Sequence, residues 1–360
     1  YDAYSFSVLP KLGQMVASED FNLYDDSGAP GLPSSKSITD EGLPAGPVRD
    51  RVAHWEGRMD GGADSVPLRL AGALHYLALN DRDATLAEFY PPNGAELPTA
   101  ETVFGAIQRN GPFIDRYLDS PPQTNETGRS AILLPCFLHL RQRFDKPLVL
   151  SELGSSAGLN QNWHRYRYEY GHWSWGDLDS PVTLACEWRG DEPPPVHLRA
   201  AVSDCAGCDI SPVPIETEDD RLRLTSYVWA DQPTRLARLS GALSVAAAHP
   251  PSVEAAGAAD WLAHRLANTW PGELHIVFHT IMWQYMPLEE QQRAQSLIED
   301  AGRRATADAP FAWVRFEADR ASDGAALTAT IWPGGQPDGE QVTLGRGDFH
   351  GRWIDWRPGA

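Results

Sequence analysis

The feature that most constrains this chain is the stretch Leu148-Val149-Leu150-Ser151-Glu152-Leu153-Gly154-Ser155-Ser156-Ala157-Gly158-Leu159-Asn160. Its opening apolar run reads as a strand buried on both faces, the pattern of a parallel sheet. The run ends in an acid and then in Gly-x-x-x-Gly, where the lack of Cβ atoms lets backbone pass close to a ligand. A helix is expected to start near Ala157, so its first N–H groups and positive dipole end would face the same place. Parallel strands need crossovers, so this stretch commits the chain to an α/β sheet.

The rest of the chain has matching grammar. Strand candidates follow at 181–188, 197–202, 206–210, 274–278 and 311–316. Helical spacing fills the intervals, at Leu236, Leu239, Leu243 and Ala246 before Pro250-Pro251, and at Ala294, Leu297, Ile298 and Ala301 after Pro287. Segments 327–332 and 342–356, split by Pro-Gly-Gly, read as a closing antiparallel hairpin. Before residue 147 no convincing strand is visible: 25–50 is rich in Gly, Pro, Ser and Asp, and apolar residues then recur at helical spacing. The expectation is a Rossmann-like α/β sheet of seven strands with a C-terminal antiparallel hairpin, the layout of class I methyltransferases, preceded by a helical region. Its divisions are an irregular arm over 1–50, a helical cap over 51–145, and an α/β domain over 146–360 with an insertion near 172–200.

The glycine loop also separates cofactor classes. Dinucleotide sites want G-x-G-x-x-G, but Ser156 holds the middle position, and the lysine of a P-loop is absent. The form E-x-G-x-x-x-G is that of S-adenosylmethionine (SAM) sites, which makes Glu152, Gly154, Ser155, Ser156, Gly158 and Asn160 cofactor-binding candidates. An acid at the end of the next strand should bond the ribose hydroxyls. Asp209, opening Asp-Ile-Ser-Pro, is preferred to Glu187, although its distance from the loop requires the insertion. One rival reads Gly154-Ser155-Ser156-Ala157-Gly158 as the nucleophile elbow of a serine hydrolase, with Ser156 attacking and Asp260 and His279 or His350 completing a triad. The helices read upstream, in place of strands and an oxyanion segment, rank it second. A SAM-binding protein without catalysis is the third reading.

Forty-nine acidic against 30 basic residues give a net charge of −19. That field repels phosphate backbones and anionic membranes, so a small-molecule substrate is expected, with neither nucleic acid nor membrane as partner. No apolar run reaches the ~18 residues of a membrane span, and no basic-then-apolar leader opens the sequence, so the chain is read as cytoplasmic. Cys136, Cys186, Cys205 and Cys208 read as reduced thiols, with no metal site expected, and Asn125-Glu126-Thr127 as a chance glycosylation match. The aromatic stretch Trp163, Tyr166, Tyr168, Tyr170, Trp173 and Trp175 reads as packing. Oligomeric state is not specified.

His279, at the expected end of a parallel strand, is a candidate base because histidine titrates near neutrality. Gln284 and Tyr285 follow it at the mouth of the next loop, as further catalytic candidates. Asn125, Glu126 and Arg129 open a helix, where Asn caps and Glu favours the dipole end.

Several segments resemble one uncharacterised bacterial family, domain of unknown function 2332, which is grouped with SAM-dependent methyltransferases. They are Asn125-Glu126-Thr127-Gly128-Arg129, the glycine loop, Arg165-Tyr166-Arg167-Tyr168, Trp175-Gly176-Asp177, Trp188-Arg189-Gly190, Trp229-Ala230-Asp231-Gln232, Asp260-Trp261-Leu262, Trp283-Gln284-Tyr285 and Trp332-Pro333-Gly334-Gly335. The resemblance runs from about Leu70 onward and implies SAM-dependent methyl transfer, with no substrate attached. It also lends Asn125, Glu126 and Arg129 weight as substrate-binding residues, carried on a lid and lining one cavity with His279 beside Gly154. Where relatives show Gly-Asp-Ala, this chain has Ala256-Gly257-Ala258, so an acidic contact near adenine has no counterpart.

Overall fold

The unbroken apolar run around residue 150 becomes β1 (Leu148–Leu153), buried at every position in a computed structural model. The structure describes residues 43–359 apart from 58, 60–63, 92, 95–97, 124, 191, 231, 320 and 322. Most of the arm expected over 1–50, residues 1–42, lies outside the described residues. No described helix is long and apolar enough to cross a membrane.

The chain divides into two compact units, one of residues up to 124 with 216–237, the other of 125–215 with the rest from 238. The first is helical. Helices Val66–Leu79, Ala100–Arg109, Gly111–Tyr117 and Glu218–Ser226 contribute to it, with Leu74, Leu77, Leu86, Ile107, Ile114, Leu118 and Tyr227 in its core. Glu218–Ser226 starts at a reciprocal cap in which Thr217 and Asp220 bond each other's backbone N–H. The helical region read over 51–145 is therefore divided: its last helix, α1 (Ser130–Phe144), belongs to the second unit.

The second unit is built around β1. On one side of it lies β6 (Val202–Asp209), then β7 (Val253–Ala255); on the other β8 (Leu274–Thr280), then β9 (Phe311–Ala318), all parallel. From β9 the sheet continues antiparallel through β10 (Ala325–Trp332), β11 (Glu340–Gly347) and β12 (Trp353–Trp356). The edge strand is β5 (Glu187–Trp188), parallel to β12. A small second sheet joins β2 (Arg167–Tyr170) to β3 (Trp173–Trp175) and β4 (Thr183–Ala185).

Nine strands replace the seven expected, for identifiable reasons. The closing hairpin gains a third strand because Trp353–Trp356 alternates in burial and pairs with the outer edge of β11. β7 and β5 have three and two residues, too few to carry a period. The candidate at 206–210 falls in one strand, β6, which begins only at Val202, so 197–201 is turn and loop rather than a strand of its own. The candidate at 181–188 breaks at Cys186, sending β4 to the small sheet and Glu187-Trp188 to the edge of the large one.

No α-helix starts near Ala157. The chain makes a 3₁₀ turn, Leu159–Arg165, and passes into β2. Its polar side chains are bonded sideways: Gln161 exchanges two hydrogen bonds with the Ser252 backbone, at 3.0 Å each, and Asn162 donates to His249 O at 2.9 Å. Such bonds compete with a continuing helix. Trp163, Tyr166, Tyr168 and Tyr170 are fully buried around this turn.

Helices α3 (Ala258–Arg265) and α4 (Leu288–Arg303), which follow α2 (Pro233–Ala248) in the chain, cover one face of the sheet. There Trp261, Leu262, Ala294 and Ile298 meet Leu153, Val277 and Trp313. α1 covers the opposite face, where Phe137 meets Phe278 edge-on at 5.2 Å.

Candidate functional site

From β1 the chain crosses to β6 and β7 on one side, then returns to β8 and β9 on the other. The strand order thus reverses at β1, and open α/β sheets bind ligands outside the carboxyl ends of strands at such a point. The glycine loop sits there. Gly154, Ser156 and Gly158 have φ of 68°, 53° and 70°, all left-handed.

The loop's N–H groups turn largely inward. Ser155 N donates to Cys208 O at 3.0 Å, Ser156 N to Asp209 Oδ2 at 2.9 Å, Gly158 N to Ser155 O at 2.7 Å, and Leu159 N to Asn125 Oδ1 at 2.7 Å. A Cβ on Gly154 would lie 2.9 Å from Met282 Cγ, and one on Gly158 2.7 Å from Pro251 Cβ. The close approach that these glycines allow is used by the protein's own chain, though at Gly154 the neighbour is a flexible side chain.

Glu152, in β1, is 3% exposed, and its Oε2 has no hydrogen-bond partner among the described residues. Burial pushes its carboxyl up to about 8; the Asp209 charge adds to this, while a Ser155 hydrogen bond and the Arg129 charge oppose it. Near neutrality the group is mostly protonated and can donate. It shares the α1 face with Phe278, its register partner on β8.

Asn125, Glu126 and Arg129 belong to the same unit as the sheet rather than to the helical one. Asn125 does not cap a helix; it holds Leu159 N beside the loop. Glu126 caps the 3₁₀ turn Thr127–Arg129 by accepting from Gly128 N at 3.0 Å. Its carboxylate is buried 3.3 Å from Arg238 and 3.5 Å from His350 Nδ1. Arg129 donates to Phe349 O at 3.0 Å and to Thr280 O, at the end of β8, at 3.2 Å. Gly128 and Gly351 cross backbone to backbone, so a Cβ on Gly351 would collide with the Gly128 carbonyl. Asn160 accepts from Ser130 Oγ at 2.7 Å and is buried behind the loop.

Of the two ribose-acid candidates, Asp209 is the one beside the loop. Its oxygens accept from Ser156 N and Ser211 N, each at 2.9 Å, so it braces the loop. Glu187 lies on the far edge strand, mostly exposed and paired with Arg189 at 2.8 Å.

His279 is not brought together with the 125–129 turn in one cavity. Its register partner on β1 is Leu153, so alternation puts it on the face opposite Glu152. It is 1% exposed and stacked on Trp283 at 4.8 Å, with Trp313 tilted against it at 5.9 Å. Its Nδ1 lies 2.6 Å from Glu317 Oε1, and its Nε2 is buried with no partner among the described residues. Gln284 and Tyr285 are exposed beyond it, in the turn Trp283–Tyr285. Glu317 is the residue that sequence reading missed: its alternation within β9 marks a face, but nothing local marks its partners.

The triad of the hydrolase reading is not joined. Asp260 pairs with Arg293 at 2.6 Å near the surface, His279 bonds Glu317, and His350 faces Glu126.

Fold and site define a mixed α/β protein with a glycine loop where its strand order reverses. The chain belongs to the family described as "Uncharacterized protein conserved in bacteria", domain of unknown function 2332, whose profile matches residues 35–356. No curated protein matches the chain at a significant level.

Proposed function

We propose that the chain binds SAM at the reversal point of its sheet and directs methyl transfer to a small molecule. The observation that carries this reading is the parallel half of the sheet, ordered β7-β6-β1-β8-β9, with the loop Glu152 to Gly158 at its point of reversal. The carboxyl oxygen of Glu152 that has no partner among the described residues supports it, because a buried polar atom without a partner is costly unless something completes it. The net charge of −19 is compatible with a cationic ligand.

SAM supplies an electrophilic methyl group on a sulfonium. The chain's own part is to bind, align and exclude water. Gly154, Ser155, Ser156 and Gly158 form the loop against which the ligand would lie, with Glu152 as hydrogen-bond donor and Asn160 behind. Asp209 braces the loop through Ser156 N and Ser211 N and stands where its carboxylate would also meet the ribose. Asn125, Glu126 and Arg129 border the same face and would shape the acceptor's side, while His279 could take a proton only through its Nε2.

Calorimetry with SAM and with its demethylated product tests the assignment. Wild-type protein should give saturable binding. Gly154→Val should lose it, since a β-branched side chain fits poorly at φ 68° and meets Met282. Absence of heat at high micromolar ligand, with the wild-type protein folded by circular dichroism, discards the cofactor.

A further inference from the structure

One carboxylate oxygen organises the turn after β8. Glu317 Oε1 accepts from His279 Nδ1 at 2.6 Å, from Met282 N at 3.1 Å and from Trp283 N at 3.3 Å. Between these donors lies Ile281, with φ of 51°, a left-handed conformation that a β-branched residue rarely adopts. Such backbone persists where its surroundings over-determine it. The turn carries Met282, whose side chain lies where a Cβ on Gly154 would be. A continuous set of contacts therefore runs from Glu317, through a strained turn, to the glycine loop.

The same oxygen acts on the imidazole. Accepting from Nδ1 keeps the proton on that nitrogen and leaves Nε2 as the acceptor. Nε2 is also the ring atom that is buried with no partner among the described residues. Trp283 stacks on the ring, and its own N–H is tied to Glu317, so ring, stacking partner and turn share one anchor.

We propose that Glu317 is the positioning residue of the reversal-point site: it holds His279 in the Nδ1–H form and seats Met282 against Gly154. The first half stands on hydrogen-bond geometry alone. The second rests on the SAM reading, because its consequence is measured on that ligand. Glu317 acts through His279, Met282 and Trp283.

The test uses the full chain with ¹⁵N-labelled histidine, at a pH above the ordinary histidine range. In wild type the His279 ring shifts should report the Nδ1–H tautomer. Glu317→Ala should move them toward the Nε2–H form that free imidazole prefers, and Glu317→Gln, which keeps an acceptor oxygen, should restore the wild-type pattern. In parallel, binding of the demethylated product should weaken about ten-fold in Glu317→Ala, a modest share of what misplaced site geometry can cost, and recover in Glu317→Gln. Wild-type tautomer shifts in Glu317→Ala overturn the proposal, whatever happens to the ligand. Unchanged affinity in Glu317→Ala overturns the seating of Met282. A wild-type protein that binds no SAM product removes the cofactor reading instead, and the tautomer then decides the role of Glu317.

Discussion

Glu152 and Glu317 stand near one end of one sheet, two strands apart and on opposite faces. Glu317 receives a histidine ring and two backbone N–H groups on a single oxygen. Glu152 is more deeply buried, and one of its oxygens receives nothing from the described residues. Residue type is the same, so the difference lies in what surrounds each group. A carboxylate surrounded by donors holds architecture in place. One buried without them keeps its proton and retains bonding capacity that the fold has not used.

The largest effect that would sharpen this contrast is in the pH dependence of stability. An unfolded Glu152 ionises near 4.5, whereas burial holds the folded group protonated up to about 8. The contribution is thus fully present below 4.5, is lost as pH rises toward 8, and changes no further above it. The slope in that window reaches about 1.4 kcal/mol per pH unit at most. Urea unfolding of wild type and Glu152→Gln across this range should show the variant's curve flatter. Equal slopes would mean that Glu152 is ionised in the folded protein.

A smaller effect separates the two acids once in competition for the ribose role. Asp209→Asn leaves one acceptor oxygen for two backbone N–H groups, so the urea midpoint should drop by the equivalent of about 1 kcal/mol. Amide exchange at Ser156 or Ser211 should rise with it. Glu187→Ala, at an exposed edge, should leave the midpoint unchanged. Matching losses in the two variants would break the distinction between loop brace and surface pair.

The sequence made β1, the glycine loop and β8 legible because burial on both faces leaves an unbroken apolar run. Asp209 was legible from its strand ending. Parity along a single strand can also be read from sequence, but register between strands cannot. That is why the placement of His279 at a strand end did not reveal that it lies on the face opposite Glu152, away from the 125–129 turn with which it was expected to share a cavity. The 125–129 turn was legible as a cluster, but the capping role of Asn125 was not, because Asn125 bonds a residue 34 positions away instead of its own helix. Nothing local marked the partners of Glu317: its donors come from segments 34 to 38 residues earlier.

The backbone crossing of Gly128 and Gly351 has a consequence for how the protein is made. β1, the middle strand of the parallel half, leaves the ribosome before either neighbour, and the segment that locks the 125–129 turn follows roughly 200 residues after the glycine loop. At about 5–20 residues per second, the roughly 50 residues from β1 to β6 take about 2.5–10 s in which β1 has no partner on either edge, and β8 follows later still. Nascent chains halted before residue 274 should therefore leave the loop open to a protease that the released protein resists; protection at that length would mean that β6 alone suffices. Birth order thus leaves the turn that holds the glycine loop unlocked until Gly351 has been made, long after the loop itself.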